Sequence, residues 1–411
     1  MSTGMGIWID VAQADRALPV FGLHPVERLR RGIKQWLPPD DPVILSGRTQ
    51  TAAWPGARLD DSSEPLGMRL RQALQQHGTL VVLDGNTVID PRLIRYLHGA
   101  DRVLVAQRGE GAACVAALRL TRESAAFIAA DAASLAQVAA QLLAAGHAAL
   151  LDDATFPAYI DKLRRTVAYW LFAVNDAKSR YTVERRLFLD NYKGSTDLLT
   201  AYVYPPLVWQ AVRLCTRCRI HPNAVTLFSI LLTAAAVPLF ATAHWLAGFL
   251  CAYAMSVLDS VDGKLARLTL TDSKLGDVLD HGLDLVHPPF WYWAWGHGLL
   301  LDGAHPSVTD WALWLNVCYV LDRLVLGVAR FRLKHALHSS TRLDERVRSI
   351  IARRNINMTL VALAVALGIG PVGLIAVALW QGMTVLWHAW RTLWLGWLSP
   401  LQDRQRITRT S

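Results

Sequence analysis

Residues 259–284 read DSVDGKLARLTLTDSKLGDVLDHGLD. Asp259 and Asp262 stand three residues apart, and Asp280 and Asp284 four apart. On helices each pair shares one face. Apolar runs flank the stretch, LAGFLCAYAMSVL before it and FWYWAWGHGLLL after it. Acid this dense at the edge of apolar segments is costly unless something compensates it. Two facing helices would bring the four carboxylates into one cavity, which repels itself strongly unless cations fill it. An all-oxygen donor set suits a hard divalent ion, Mg²⁺ or Mn²⁺, whereas zinc favours His and Cys. A helix pair with merely solvated acids does not suit flanks this apolar.

Working outward, the 411 residues leave room for two or three domains. Hydrophobic residues make up 53% of the chain and 16 are Trp, which points to membrane segments. The formal net charge is +9, but many bases flank apolar segments and form no reading face. That favours anionic lipid heads or nucleotide phosphates as partners and argues against nucleic acid. The five Cys are scattered, and the CxxC of Cys215 and Cys218 lacks a second pair to complete a zinc site. The N-terminus, MSTGMGIWIDVAQAD, has neither the basic start nor the long apolar core of a signal peptide. Insertion through internal segments, with the N-terminus cytoplasmic, is therefore the expectation.

Residues 1–155 alternate short apolar runs with helical patterns. Runs at residues 6–9, 42–45, 80–83, 103–106 and 114–118 read as strands, and residues 25–37, 67–75 and 134–145 as helices. The alternation implies an open α/β sheet. Residues 156–197 read as a basic linker with a helix over residues 156–174. Residues 198–219 alternate apolar and basic side chains, the pattern of an amphipathic helix at the membrane interface. A bilayer span takes about 20 apolar residues. Six segments qualify or nearly so: residues 224–243, 244–268, 278–301, 308–331, 356–369 and 372–395. Residues 198–400 thus read as an all-α polytopic domain of six transmembrane helices, followed by a polar tail over 401–411. The basic loop between the fourth and fifth spans marks the cytoplasmic side of an inner, cytoplasmic membrane, and the Asp stretch falls on that side.

The eight positions Asp259, Asp262, Gly263, Ala266, Arg267, Gly276, Asp280 and Asp284 also carry a signature. In it the chain resembles the CDP-alcohol phosphotransferases, integral membrane enzymes of phospholipid synthesis. The resemblance implies attack of an acceptor hydroxyl on the β-phosphorus of a CDP-alcohol, releasing CMP, with two Mg²⁺ or Mn²⁺ ions at the diphosphate. It casts Asp259, Asp262 and Asp280 as metal ligands. Asp284 is cast as general base for the acceptor and as a further ligand. Gly263 and Ala266 keep the helix face open to the nucleotide, Arg267 holds a phosphate, and Gly276 leaves room for cytidine. In relatives a Pro-Asn before the first span lies near the nucleotide, so Asn223 either binds cytosine or caps its helix. Arg323, Arg330, Arg353 and Arg354 are candidate acceptor-binding residues, with positive-inside topology as the plainer account of the same charges. Relatives with phosphorylated acceptors often show RRD where this chain has Arg353-Arg354-Asn355. The resemblance further implies CDP-diacylglycerol as donor, inositol phosphate or glycerol phosphate as acceptor, and a homodimer.

The phrase ALPVFGLHPVERLRRGI, with LVVLDGNTVIDPRLI later, resembles the nucleotidyltransferase fold of sugar-nucleotide synthesis, and Asp84 matches that family's metal-holding Asp. The glycine-rich phosphate loop of that family is replaced by Asp10-Val11-Ala12-Gln13, which implies a degenerate, structural or regulatory domain. Two alternatives stand beside the transferase. One is a bifunctional protein whose N-terminal domain makes a CDP-polyol that the membrane domain consumes. The other is a non-enzymatic transporter that uses the acids as an ion site.

Overall fold

The computed structural model describes residues 5–47, 54–109, 115–160, 163, 165–192, 196–272, 276, 282 and 284–398. The chain divides into two compact units. One comprises Met1–Asp161, Arg165–Tyr192 and Leu268–Leu270; the other comprises Lys162–Arg164, Lys193–Arg267 and Thr271–Ser411.

The first unit is built on strands β1 (Met5–Asp10), β2 (Val43–Ser46), β3 (Arg58–Asp60), β4 (Thr79–Asp84), β6 (Leu104–Arg108), β7 (Val115–Thr121) and β8 (Ala149–Leu150), in the order β3-β2-β1-β4-β7-β6-β8. The β3-β2-β1-β4 half is parallel, and β7 runs antiparallel to both its neighbours. Side chains alternate across β1. Ile7 and Ile9 join one core beneath α1 (Pro25–Trp36) and α3 (Pro91–Gly99). Trp8 joins another beneath α2 (Leu66–His77) and α4 (Leu135–Ala144). Both faces of the sheet are therefore covered, as parallel strands require.

The helix expected over residues 156–174 is corrected. Tyr159–Ile160 (β9) pairs with Arg165–Thr166 (β10), and Leu171–Ala173 (β11) pairs antiparallel with Thr87–Ile89 (β5). The stretch as a whole reads as helical by period, yet Phe156, Tyr169 and Leu171 are drawn into one core around Ile89 and Leu93, and the two-residue spacing of Tyr169 and Leu171 is that of a strand. The open edge of β5 offers Leu171–Ala173 backbone partners that a local pattern cannot register. Helix α5 (Ala177–Asp190), capped by Asp176, ends this unit.

The second unit is helical. A π-turn (Leu199–Val203) leads into α6 (Pro205–Arg217), which buries Val208, Val212 and Cys215 along one stripe. This is the one-sided helix that the pattern of residues 198–219 predicts. Four helices are long and apolar enough to cross a bilayer. They are α7 (Pro222–Ala241), α8 (Trp245–Thr269), α10 (Ser307–Leu333) and α13, whose apolar run extends over Gly370–Trp397. Their windows are at most 39% buried within the chain, so most of this apolar surface faces outward, as lipid contact demands. Two of the six predicted spans are shorter as described. Helix α9 (Pro288–Leu301) has 14 residues, preceded by a bend at His287 and started by Pro288. Residues 278–281 and 283, which the prediction placed in that span, lie outside the described residues. Helix α12 (Arg354–Ala366) has 13 residues and rises only about 20 Å. Between α10 and α12 sits the short α11 (Arg342–Arg348).

The helices pack around Phe240, Trp291, Tyr292 and Trp295. Backbones come close at glycine: a Cβ on Gly298 would stand 2.1 Å from the carbonyl oxygen of Phe240.

Candidate functional site

Helix α8 carries Asp259, Asp262, Gly263, Ala266 and Arg267 at offsets of three, four, seven and eight residues, so they line one face. Asp262 is 4% exposed. The hydroxyl of Thr226, on α7, donates to its Oδ2 at 2.7 Å and aims that carboxylate. Gly263 faces the guanidinium of Arg267; an added Cβ would sit 3.4 Å from Nη1.

Asp284 lies on the far side of the intervening turn. Arg354, the first residue of α12, joins the two segments. Its Nη2 donates to Asp259 Oδ2 at 3.0 Å and its Nη1 donates to Asp284 Oδ1. One cation thus reaches carboxylates from both halves of the motif. This juxtaposition tests the fit of a divalent ion: the donors are carboxylate oxygens, they converge on one positive centre, and Asp262 stands one turn from Asp259. Carboxylate oxygens are the donors a hard divalent ion takes, but among the described residues no three of them are arranged to hold one, and Arg354 occupies the space between Asp259 and Asp284. Asp280, the remaining member, lies outside the described residues. Gly276 is described in helical backbone and is half-buried.

The tentative acceptor residues separate into two groups. Arg323, Arg353 and Arg354 gather near Asp284, whereas Arg330 is exposed in the last turn of α10. Tyr319, one turn before Arg323, donates its hydroxyl to the carbonyl of Leu285 at 2.9 Å. Arg323 lies over the Tyr319 ring at 5.2 Å. Arg353 lies in the field of Asp197, to which the linear reading gave no role. The amide of Asn355 donates to both Asp197 oxygens at 3.3 Å, and the Thr200 hydroxyl donates to Oδ2 at 2.9 Å. Burial alone would raise the Asp197 pKa, but the Arg353 charge and these hydrogen bonds outweigh it and hold it below the usual carboxylate range. No local signal exposes Asp197 or Thr226 as site residues, since their partners lie 158 and 36 positions away.

Asn223 does not cap its helix. His221 is the N-cap, accepting from the Asn223 N–H through Nδ1 at 3.2 Å, and Pro222 fills the first helical position. Asn223 is exposed there. Pro's fixed φ suits the first helical position, which places the cap two residues upstream of the expectation.

In the first unit Asp84 ends β4, as expected, with Asp10 opposite it in register on β1. Burial raises the pKa of both carboxyls, and Asp84 adds to the effect on Asp10. Each is engaged in its own turn, Asp84 accepting from Asn86 N and Thr87 Oγ1, and Asp10 from Ala12 N. Among the described residues no group of three or more His, Cys, Asp or Glu is arranged to hold a metal ion.

Residues 219–396 match the CDP-alcohol phosphatidyltransferase family. Those residues are a CDP-alcohol phosphatidyltransferase domain. The match takes in Asp259, Asp262, Asp284 and Arg354 together. Among curated relatives, cholinephosphotransferase 1 of Gallus gallus is 34% identical over 118 residues, 26% of this chain and 35% of that protein. Cholinephosphotransferase 1 of Rattus norvegicus is 29% identical over 193 residues, 41% of this chain and 45% of that protein. An uncharacterised class-I CDP-alcohol phosphatidyltransferase family protein of Schizosaccharomyces pombe is 30% identical over 120 residues, 25% of this chain and 30% of that protein. The chain therefore spans less than half the length of each of these relatives. The phosphatidyltransferase domain coincides with the helical unit bearing the carboxylates; the α/β unit lies outside the match.

Proposed function

We propose that this protein transfers a phosphoalcohol group from a CDP-alcohol to a hydroxyl acceptor, with release of CMP, in phospholipid synthesis. The observation that carries the reading is the convergence of Asp259 and Asp284 on one guanidinium, with Asp262 beside them. Asp259, Asp262, Asp280 and Asp284 would hold two Mg²⁺ or Mn²⁺ ions, which supply electrostatic stabilisation at the diphosphate. Asp284 takes the proton of the acceptor hydroxyl. Its nearly half-exposed side chain, 47%, leaves it open to an incoming acceptor. Arg267 donates to a donor phosphate, and Gly263, Ala266 and Gly276 leave space for the nucleotide beside the helix. Asn223, exposed at the start of α7, contacts the nucleotide base. Arg323, Arg353 and Arg354 face the acceptor side, with Arg330 two turns beyond Arg323 on α10.

CDP-diacylglycerol as donor, and inositol phosphate or glycerol phosphate as acceptor, suit three arginines gathered beside the carboxylates. Six membrane crossings, a cytoplasmic site and a homodimer complete the reading, as does a structural or regulatory role for residues 1–155. The test is metal-dependent CMP release by the purified full chain. Radiolabelled CDP-diacylglycerol is offered with glycerol phosphate, inositol phosphate and their unphosphorylated alcohols. Because two relatives are named for choline phosphate transfer, a CDP-choline and diacylglycerol arm is included. Absence of CMP release in every arm refutes the proposal.

A further inference from the structure

Asp322 on α10 and His388 on α13 are both 0% exposed, in two of the membrane-crossing helices. Ionisable side chains in such a place are costly and call for a role. Neither belongs to the Asp motif. His388 Nδ1 hydrogen-bonds Asp322 Oδ1 at 2.5 Å. The other carboxylate oxygen, Oδ2, accepts from Arg323 Nη2 at 2.5 Å. The Asp322 carboxylate thus joins the two side chains, and of the three Arg323 is the most exposed, at 38%.

A carboxylate held at one oxygen only can turn about its terminal bond. Held at both, it has one orientation, and its second oxygen fixes the guanidinium plane. Arg323 is further constrained by the Tyr319 ring beneath it, and Tyr319 is anchored to the segment carrying Asp284. So oriented, Arg323 keeps a buried Nε donor, and neighbouring Arg353 a buried Nη1 donor, that no partner among the described residues takes up. Two guanidinium groups close enough to repel one another, Arg323 bonded to buried Asp322 and Arg353 in the field of buried Asp197, make a concentration of positive charge with donors to spare.

We propose that Asp322 and His388 are positioning residues that aim Arg323 as an anion-binding group, selecting a phosphorylated acceptor over a neutral alcohol. The acceptor role rests on the transfer reading above; the anion-binding role does not.

The experiment uses inorganic phosphate as probe and thermal stability of the full chain in detergent with EDTA as readout. Wild type shows saturable protection by phosphate, and Arg323→Gln shows none. His388→Leu keeps side-chain volume and loses the donor to Asp322. Its apparent phosphate affinity falls about tenfold, the scale on which losing an orienting partner weakens a ligand-holding group. His388→Asn loses volume and keeps a donor at the Nδ1 position, and restores affinity to within about threefold of wild type. A packing role gives the opposite order, with His388→Leu the better variant, and overturns the proposal; so does absence of saturable protection in wild type. If His388→Leu does not fold, Asp322→Asn decides: phosphate protection must fall with it, and unchanged protection refutes the assignment. CMP release by the same preparation tests the transfer reading separately. Phosphate behaviour as stated, without CMP release, upholds the positioning pair and removes the acceptor role.

Discussion

Replacing Arg354 with Gln should tighten divalent-metal binding. The free energy of metal binding is measured from the state the metal leaves, and there Arg354 neutralises Asp259 and Asp284. The side chains of Arg354 and Asp259 are only 15% and 19% exposed, with N and O 3.0 Å apart. Unit charges about 4 Å apart interact by about 4 kcal/mol at an effective dielectric near 20 and about 1 kcal/mol in water. A mostly buried pair lies between those limits. Asp284 is 47% exposed, and solvent screens its pair to below about 1 kcal/mol. The guanidinium therefore stabilises the metal-free site by about 2 kcal/mol. Removing it leaves the carboxylates repelling one another, which raises the energy of the metal-free site. At about 1.4 kcal/mol per tenfold, Mn²⁺ affinity should rise roughly thirtyfold. The assay is Mn²⁺ titration of the purified full chain in detergent, reading free Mn²⁺ by electron paramagnetic resonance. Turnover should fall in the same variant, because Arg354 also faces the acceptor. Unchanged or weaker Mn²⁺ binding would refute the reasoning, since it would mean that Arg354 organises the carboxylates without competing for them.

Asp284→Asn should abolish CMP release while CDP-alcohol still binds; a variant near full rate removes Asp284 as the base. Thr226→Val should weaken Mn²⁺ binding roughly tenfold by freeing the Asp262 carboxylate, measured by the same titration. Gly298→Ala places a methyl against the Phe240 carbonyl and should cost about 1–3 kcal/mol, seen as an earlier midpoint in denaturant-induced unfolding. The folded pKa of Asp197 lies below its unfolded value, so its contribution to stability is present above about pH 4 and is lost as pH falls through the folded value. Asp197→Asn should therefore lower stability at neutral pH and flatten the acid limb of the stability profile; an unaltered acid limb contradicts the assigned pairing.

The motif was legible because its information is local. Asp259, Asp262, Gly263, Ala266 and Arg267 share a face through the 3.6-residue period of α8, and covalent spacing alone determines that. The α/β character of residues 1–155 was legible for a similar reason, since runs such as Leu80–Leu83 alternate with amphipathic helices. Residues 156–174 misled because a helical period and a set of short strands collect the same apolar residues. Only the free edge of β5 distinguishes them. The long-range partners of the buried carboxylates were not legible. Arg354 meets Asp284 across 70 positions, His388 meets Asp322 across 66, and Asn355 meets Asp197 across 158. Spacing along a chain specifies which side chains leave one helix on one face. Which other helix arrives opposite them depends on how all the helices pack, and that is decided by the summed burial of the whole unit.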